Sequence, residues 1–323
     1  MTRVRFLDHI RAVLTEAVLA GAGRVLRVRR EALTTLRYKP SRHGSPGELV
    51  TLADEHSDAA MSAVFEQHLS RLSPAVGWHL EESGLRVAGD AARRVGADPL
   101  DGTQHFASGG NLYCVQAHYL ERGVPLIGVI FQPEVYLPVT VRPGGVGRLA
   151  WAIRGAGAFV QRSEYRRRAF VLGRARAIPA RPRRTARALT ACVPIGVKMS
   201  PTERRRATRV LTDELIGATV GAGSAGANIL MVVFGGQDVY ANLGAGNELD
   251  IAPGQVIAQE AGLAVRTSSR RVPVWDVWKQ PVIVAPSARI AARVLRIAGV
   301  QRTSIERQPL KTLEPKNSRE LLG

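Results

Sequence analysis

Apolar residues recur at helical spacing in two stretches near the start of the chain. The first runs from residue 5 to about residue 32, and the second runs from residue 51 to about residue 72. Side chains three and four residues apart share one face of an α-helix, so both stretches are predicted to be amphipathic helices. Proline and glycine are concentrated at 40–47, between the two stretches, and they predict a loop.

Short apolar runs dominate the remainder of the N-terminal half. They lie at 112–120, 125–131, 135–141 and 150–160. Runs of this length, separated by turn residues such as Gly144 and Gly145, predict β-strands, and the first two runs predict an antiparallel hairpin. Two helices followed by a series of strands indicate an α+β arrangement.

The pattern changes after residue 187, where elements alternate in a way typical of an α/β unit. The predicted elements are strands at 188–193 and 281–285, helices at 201–216, 251–261 and 288–298, and an apolar run at 227–234. A four-part organisation follows. Its parts are an N-terminal α+β domain (1–160), an arginine-rich connector (161–187), a C-terminal α/β domain (188–300) and a polar tail (301–323).

Charge is strongly biased towards the basic side. The 323 residues include 45 Lys and Arg against 27 Asp and Glu, a formal net charge of +18. Half of this excess lies between residues 161 and 190, where Glu164 is the one acid among ten arginines. Single-stranded nucleic acid also requires aromatic platforms, and the segment offers only Tyr165 and Phe170. Nucleic acid is therefore an unlikely partner, and the charge favours small anionic substrates.

The cysteine content and the hydropathy bear on location. Cys114 and Cys192 are the only cysteines, a number that fits a reducing compartment. No apolar run approaches the length of a membrane span, and the first twenty residues carry charges throughout. The sequence therefore predicts a cytoplasmic protein with no membrane partner.

The segment 98–103, Asp-Pro-Leu-Asp-Gly-Thr, is the most constrained acidic sequence in the chain. Its carboxylates, Asp98 and Asp101, are three residues apart and stiffened by proline, so they can converge on one centre. Gly102 permits close backbone approach, and a helix beginning at Thr103 would direct N–H groups at an anion. Oxygen ligands without clustered histidine or cysteine favour a hard cation such as Mg²⁺, which serves phosphoryl transfer.

Ordinary structural roles are the alternative for each acidic group. Asp-Pro and Asp-Gly are common turn dipeptides, and Asp250 could simply cap an apolar helix. Asp54 and the pair Glu81 and Glu82 also adjoin apolar residues. Taken singly, each group favours a structural role; occurring together, they favour chemistry.

Four segments of the chain, in their order along it, resemble the motifs of a known protein family. They are Val-Thr-Leu-Ala-Asp at 50–54, Leu-Glu-Glu at 80–82, the segment 98–103, and Leu-Asp-Ile-Ala-Pro-Gly at 249–254. This order resembles the Mg²⁺-dependent, lithium-sensitive phosphatases that include inositol monophosphatase and 3′(2′),5′-bisphosphate nucleotidase. Their motifs are Val-Thr-x-x-Asp, Gly-Glu-Glu, Asp-Pro-Leu-Asp-Gly-Thr and Trp-Asp-x-Ala-x-Gly. Supporting matches lie at 123–130, 155–159 and 223–225, so the resemblance spans about residues 5 to 300.

The resemblance implies a layered αβαβα sandwich of the sugar-phosphatase type, with the site between its two halves. It also implies two or three Mg²⁺ ions, inhibition by Li⁺, and dimerisation as a family property. The implied metal ligands are Glu81, Asp98, the carbonyl of Leu100, Asp101 and Asp250.

The resemblance also implies catalytic and substrate-binding residues. Thr103, oriented by Asp54, would position and activate the attacking water. The amides of Gly102 and Thr103 would hold the phosphate, and Ser224 and Glu248 would contact the substrate.

Departures from the pattern leave the substrate open. The segment 243–250 resembles the nucleotidase branch, whereas Leu243 stands where the inositol branch usually has a substrate-contacting Glu. Asn242 replaces a basic residue of the nucleotidase branch, and Leu80 and Leu249 replace a glycine and a tryptophan. We predict an Mg²⁺-dependent phosphatase for a nucleotide 3′-phosphate, a sugar phosphate or a related metabolite. The alternatives are an inositol monophosphatase, and a non-catalytic member that binds an anion or nucleic acid.

Overall fold

The computed structural model describes most of the chain. The described ranges are 2–32, 37–38, 49–72, 75–87, 92–134, 146–180, 188–196, 199–219, 223–244, 246–267 and 281–300. The helices in them are α1 (Arg3–Ala32), α2 (Leu52–Leu69), α3 (Thr103–Ala107), α4 (Pro201–Leu211), α5 (Ala225–Val233), α6 (Glu248–Glu260) and α7 (Ala288–Ile297).

The strands fall into two large sheets and one short pair. The first to eighth are β1 (Arg37–Tyr38), β2 (Leu49–Val50), β3 (Gly77–Leu80), β4 (Gly84–Val87), β5 (Arg93–Asp101), β6 (Cys114–Glu121), β7 (Val124–Gln132) and β8 (Val146–Ile153). The others are β9 (Gly157–Arg166), β10 (Ala169–Leu172), β11 (Arg176–Ala177), β12 (Leu189–Cys192), β13 (Ile216–Thr219), β14 (Val239–Asn242), β15 (Ala264–Thr267) and β16 (Val282–Ala285).

Nine of the described strands form the first sheet, in the order β10-β9-β8-β7-β6-β5-β3-β4, with β11 paired to β9. Its pairs are antiparallel except for β3 and β5, which run parallel. Five of the described strands form the second sheet, in the order β13-β12-β14-β16-β15. β5 lies between β3 and β6 in this sheet, and its last four residues, 98–101, begin the segment 98–103.

The helices lie in three layers around the two sheets. α1 and α2 pack on the outer face of the first sheet, α5 and α6 lie between the sheets, and α4 and α7 cover the second sheet. Each interface between these layers contains a cluster of buried apolar side chains. The predicted αβαβα sandwich is confirmed.

Close backbone contact sets the position of α6 on the first sheet. A Cβ added at Gly128 on β7 would lie 2.1 Å from the carbonyl oxygen of Pro253 on α6. Only a glycine permits such an approach between a strand and a helix. α6 therefore rests directly on the sheet, with its first turn beside β5.

Two predicted elements in the described residues are wrong in detail. The single strand at 150–160 is two strands, β8 and β9, because Gly155 and Gly157 have φ of 83° and 93° and form a turn. The helix at 201–216 ends at Leu211, since the side chain of Asp213 accepts a hydrogen bond from the Leu215 amide at 2.9 Å and starts a turn.

The apolar run at 227–234 belongs to α5, although its neighbours in the sequence alternate between strand and helix. The Ser224 hydroxyl caps this helix by accepting from the Ala227 amide at 3.0 Å. α5 is apolar on nearly all sides because it is buried between two sheets.

Much of the arginine-rich connector is ordered strand. Residues 161–166 continue β9, and both β10 and β11 fall within the connector. The predicted strand at 135–141, the last part of the connector at 181–187 and the tail at 301–323 lie outside the described residues. None of the described helices is both long and apolar enough to cross a membrane.

Candidate active site

Asp98 and Asp101 lie at the end of β5, beside β6. The pairing of the two strands shifts in register between these residues. Pro99 cannot donate a hydrogen bond to the neighbouring strand, and the Leu100 amide donates instead to Asp98 Oδ1 at 2.9 Å. Residues three apart on a regular strand point to opposite faces. The irregularity therefore allows both carboxylates to reach one place.

The third carboxylate, Asp250, comes from the first turn of α6. Asn247 caps this helix, and its side chain accepts from the Leu249 amide at 3.0 Å. One oxygen from each of Asp98, Asp101 and Asp250 lies within 4.8 Å of the others. The structure thus brings together an acidic cluster from two distant segments of the chain.

Burial and mutual repulsion dominate the electrostatics of this acidic cluster. Asp98 is 2% exposed, and its burial raises its pKa well above the usual range. The charges of Glu81, Asp101 and Asp250 raise it further. A divalent cation would offset this repulsion, and an all-oxygen donor set suits a hard cation. The residues therefore fit a metal ion.

Two other predicted metal ligands border the acidic cluster. Glu81 follows directly after β3, the parallel neighbour of β5, and acts on Asp98 through its charge. The carbonyl oxygen of Leu100 lies 3.0 Å from the Thr103 hydroxyl oxygen. Direct coordination of a metal by either group stays a prediction.

Asp101 is held by the N-terminus of α5. Its carboxylate accepts from the amides of Ala225 at 3.0 Å and Gly226 at 2.6 Å, and from the Ser224 hydroxyl at 2.8 Å. The Gln116 side-chain amide donates to the same carboxylate at 3.1 Å. Burial raises the pKa of Asp101, whereas the hydrogen bonds from the Gly226 amide, the Ser224 hydroxyl and the Ala225 amide oppose the rise. The helix N-terminus therefore fixes the direction of the carboxylate and favours its ionised form.

Ser224 faces the interior of the protein. It has no exposed surface, and its hydroxyl is shared between Asp101 and the cap of α5. This geometry gives Ser224 a part in holding Asp101. Its predicted contact with substrate stays a prediction.

Thr103 and Asp54, whose pairing the resemblance implies, are in direct contact. The Thr103 hydroxyl donates to Asp54 Oδ1 at 2.8 Å. Asp54 Oδ2 accepts from the Thr51 amide at 2.8 Å and from the Thr51 hydroxyl at 2.6 Å, because Thr51 is the N-cap of α2. Burial raises the pKa of Asp54 to about 6, against the opposing effect of these hydrogen bonds. At neutral pH this carboxylate is ionised yet close to protonation.

Gly102 joins β5 to α3 in a conformation that favours glycine. Its φ is 99°, and a Cβ added there would lie 2.9 Å from Cβ of Ser224. α3 begins at the next residue, and the Phe106 amide donates to the carbonyl of Gly102 at 2.9 Å. The contact of the Gly102 and Thr103 amides with a phosphate stays a prediction.

Glu248 is engaged by two basic side chains of the first sheet. Its Oε1 lies 2.8 Å from Nε2 of His118, and its Oε2 accepts from Arg94 at 2.9 Å. This arrangement does not test the contact of Glu248 with substrate, which stays a prediction.

Sequence reasoning missed Gln116, His118 and Arg94 as parts of the site region. The sequence does contain a signal for Gln116 and His118. Gln116 and His118 are polar residues two apart in a strand that is otherwise mostly apolar, so they share one face. Both are completely buried, and buried polar side chains require partners.

Comparison with known proteins agrees with this geometry. The sequence profile of the inositol monophosphatase family matches residues 7–302. The chain belongs to this family. An extragenic suppressor protein suhB from Bartonella henselae has a similar fold, with a TM-score of 0.68 at 20% identity over 90% of this chain and 98% of that one. This family member therefore has the fold of its solved relatives.

Relatives of known name match over shorter segments. An inositol-1-monophosphatase of Mesorhizobium japonicum is 33% identical over 100 residues, 31% of this chain and 36% of the relative. A histidinol-phosphatase of Streptomyces coelicolor is 32% identical over 111 residues, 33% of this chain and 37% of the relative. The matched segments thus span little more than a third of each relative's length.

Proposed function

We propose that this protein is an Mg²⁺-dependent phosphomonoesterase. The observation that carries the proposal is the acidic cluster of Asp98, Asp101 and Asp250 beside the hydrogen-bonded pair Thr103 and Asp54. Membership of the inositol monophosphatase family supports it.

The proposed metal ligands are the three carboxylates of the acidic cluster, together with Glu81 and the Leu100 carbonyl. Bound Mg²⁺ would supply positive charge that stabilises the negative charge developing on the phosphoryl group and the leaving oxygen. The amides at the N-terminus of α5 fix the direction of the Asp101 carboxylate. Such preorganisation reduces the reorganisation that metal binding requires.

Thr103 and Asp54 are the proposed route for the proton. Because the Thr103 hydroxyl donates to Asp54, its lone pairs are available to accept a hydrogen bond from the attacking water. As the water oxygen bonds to phosphorus, the ester bond between phosphorus and the leaving oxygen breaks. The proton of the water passes to the Thr103 oxygen and the Thr103 proton passes to Asp54, while the leaving oxygen takes up a proton from solvent. With a pKa of about 6, Asp54 is a suitable acceptor at neutral pH. The amides of Gly102 and Thr103 are the proposed donors to the phosphate.

The proposed substrate is a small phosphomonoester such as a nucleotide 3′-phosphate or a sugar phosphate. Leu243 has no exposed surface, so the position at which an inositol phosphatase would present a carboxylate to the sugar presents none here. The relatives' names nevertheless make inositol phosphate and histidinol phosphate necessary members of any substrate panel. We also propose a cytoplasmic location, which suits the two buried free thiols, Cys114 and Cys192.

The test is phosphate release from a panel of nucleoside, sugar, inositol and histidinol phosphates, with Mg²⁺, with EDTA, and with Mg²⁺ plus Li⁺. Release that requires Mg²⁺ and falls with Li⁺ is the expected result. Asp101→Asn should abolish it while circular dichroism shows an intact fold. Metal binding without release from any compound would instead favour a non-catalytic anion-binding protein.

A further inference from the structure

Glu248 joins the first turn of α6 to the first sheet. It lies two residues before Asp250, and its carboxylate is held at both oxygens, by His118 at 2.8 Å and by Arg94 at 2.9 Å. His118 is completely buried, and the side chain of Glu248 is only 10% exposed. Charge-assisted hydrogen bonds in such surroundings are strong and directional.

The two basic residues lie on neighbouring strands of the first sheet, Arg94 on β5, which also carries Asp98 and Asp101, and His118 on β6. Arg94 is on β5, four residues before Asp98, so both side chains are on the same face of the sheet. His118 is on β6 opposite Gly96. Four residues of strand correspond to about 13 Å. This separation along β5 keeps Arg94 apart from Asp98. Glu248 connects Arg94 to the turn of α6 that carries Asp250.

Gly96 shows how tightly the first turn of α6 is seated. A Cβ added at Gly96 would lie 2.3 Å from Cε1 of His118 and 2.8 Å from Cδ2 of Leu249. The absence of a side chain therefore makes room both for the imidazole and for Leu249, the residue between Glu248 and Asp250. The backbone of this turn has little freedom to move while the contacts persist.

We propose that Arg94 and His118 are positioning residues for the metal site: by holding Glu248, they fix the first turn of α6 and so direct Asp250 towards Asp98 and Asp101. The inference rests on the proposed function, because it treats Asp250 as a metal ligand. Residues that orient metal ligands typically contribute 10- to 100-fold in affinity.

Arg94→Met separates this role from a simple effect of charge. Removing a positive charge near a cation site strengthens cation binding by Coulomb's law alone. Loss of the contact that positions Glu248 would instead weaken cation binding. The two explanations therefore predict opposite signs for the same variant.

The experiment measures Mn²⁺ and Mg²⁺ affinity of the full chain by titration calorimetry, without substrate. Arg94→Met is expected to weaken binding roughly 10-fold or more, and Arg94→Lys, which keeps a donor, is expected to recover part of the loss. The double variant Arg94→Met, Glu248→Gln should bind no more weakly than Glu248→Gln, since both changes act through one contact.

Glu260→Gln is the matched control. Glu260 ends the same helix, and its carboxylate accepts from the amides of Gly155 and Gly157, both at 2.9 Å. This change removes an anchor and a negative charge at the far end of α6, so metal affinity should stay within about twofold of wild type. Circular dichroism and thermal unfolding in chelator confirm the fold of each variant.

Unchanged or tighter metal binding by folded Arg94→Met would overturn the positioning role and leave the proposed function intact. Should Arg94→Met not fold, His118→Leu provides the same comparison, because it removes the other partner of Glu248 without removing a negative charge. A wild-type protein that binds neither Mn²⁺ nor Mg²⁺ would overturn both the proposed function and this inference.

Discussion

Asp98→Asn should stabilise the metal-free protein and abolish its response to metal. The pKa of Asp98 is raised well above its usual range by burial and by neighbouring carboxylates. A raised folded-state pKa means that ionisation destabilises the fold, and the loss develops as pH rises above the unfolded value. An asparagine oxygen can still accept from the Leu100 amide, which Asp98 binds at 2.9 Å, so the substitution removes the charge while it retains the hydrogen bond.

Each unit of raised pKa corresponds to more than about 1 kcal/mol once the group is ionised. We expect Asp98→Asn to raise Tm in EDTA at neutral pH, by about 2 °C for each unit by which the pKa of Asp98 is raised. The measurement is thermal unfolding by circular dichroism between pH 4 and pH 8, with EDTA and with Mg²⁺. Wild type should lose stability in EDTA as pH rises and should regain it with Mg²⁺. The variant should show a weaker dependence of Tm on pH and no rise of Tm with Mg²⁺.

Asp238→Asn is the control, because Asp238 is a buried carboxylate of the second sheet whose oxygen accepts from the Thr190 amide at 3.0 Å. That variant should gain no stability in EDTA and should keep the Mg²⁺ response. A lower Tm for Asp98→Asn in EDTA, or an Mg²⁺-induced rise equal to that of wild type, would refute the repulsion argument.

Three further predictions concern other parts of the site. Since the pKa of Asp54 is about 6, hydrolysis should rise with pH through that region as the carboxylate ionises, and Asp54→Asn should remove this limb from the pH–rate profile; an unchanged limb would contradict its role. Gly226→Ala would place a Cβ 2.4 Å from Gln116 Oε1. It should therefore lower the free energy of unfolding in urea by about 1–3 kcal/mol and weaken Mg²⁺ binding. Gly223→Ala is the control, because a Cβ there meets nothing within 4 Å, and it should change neither quantity. Arg29 donates to the carbonyls of Gly109 and Gly110 just after α3, and Arg29→Met should lower the free energy of unfolding by about 1–3 kcal/mol; a value within experimental error of wild type would show that this anchor is dispensable.

The sequence predicted the fold well where the signal was local. Both long N-terminal helices were predicted, with Thr51 near the start of the second, and the segment 98–103 was singled out through its own proline and glycine. The layered sandwich came from the resemblance, because the order of layers depends on contacts between elements far apart in the chain. The turn at 154–156 was missed because the residues on both sides of it are apolar, although Arg154 and Gly155 interrupt the apolar run there. The positive φ of Gly155 in the structure shows the turn.

The candidate site was likewise predicted where the signal was local and missed where it depended on contacts between distant elements. The residues within the motifs were predicted, and the structure brings Asp98, Asp101 and Asp250 together. The partners that hold these motifs were not predicted, because they are contributed by other elements. Gln116 reaches Asp101 only through the pairing of β5 with β6. A pattern read along one segment contains no information about such a partner.

The hydrogen bonds that hold Asp101 have a consequence for biosynthesis. The Gly226 amide that donates to this carboxylate lies 125 residues later in the chain. At translation rates of about 5–20 residues per second, the donor is made roughly 6–25 s after the acceptor. The later strands of the first sheet, β6 to β11, are made during that interval, while Asp101 still lacks the α5 amides. The hydrogen bonds to Asp101 are therefore completed late in synthesis. A chain stalled on the ribosome before α5 would expose the acidic end of β5 without the amides that bind Asp101.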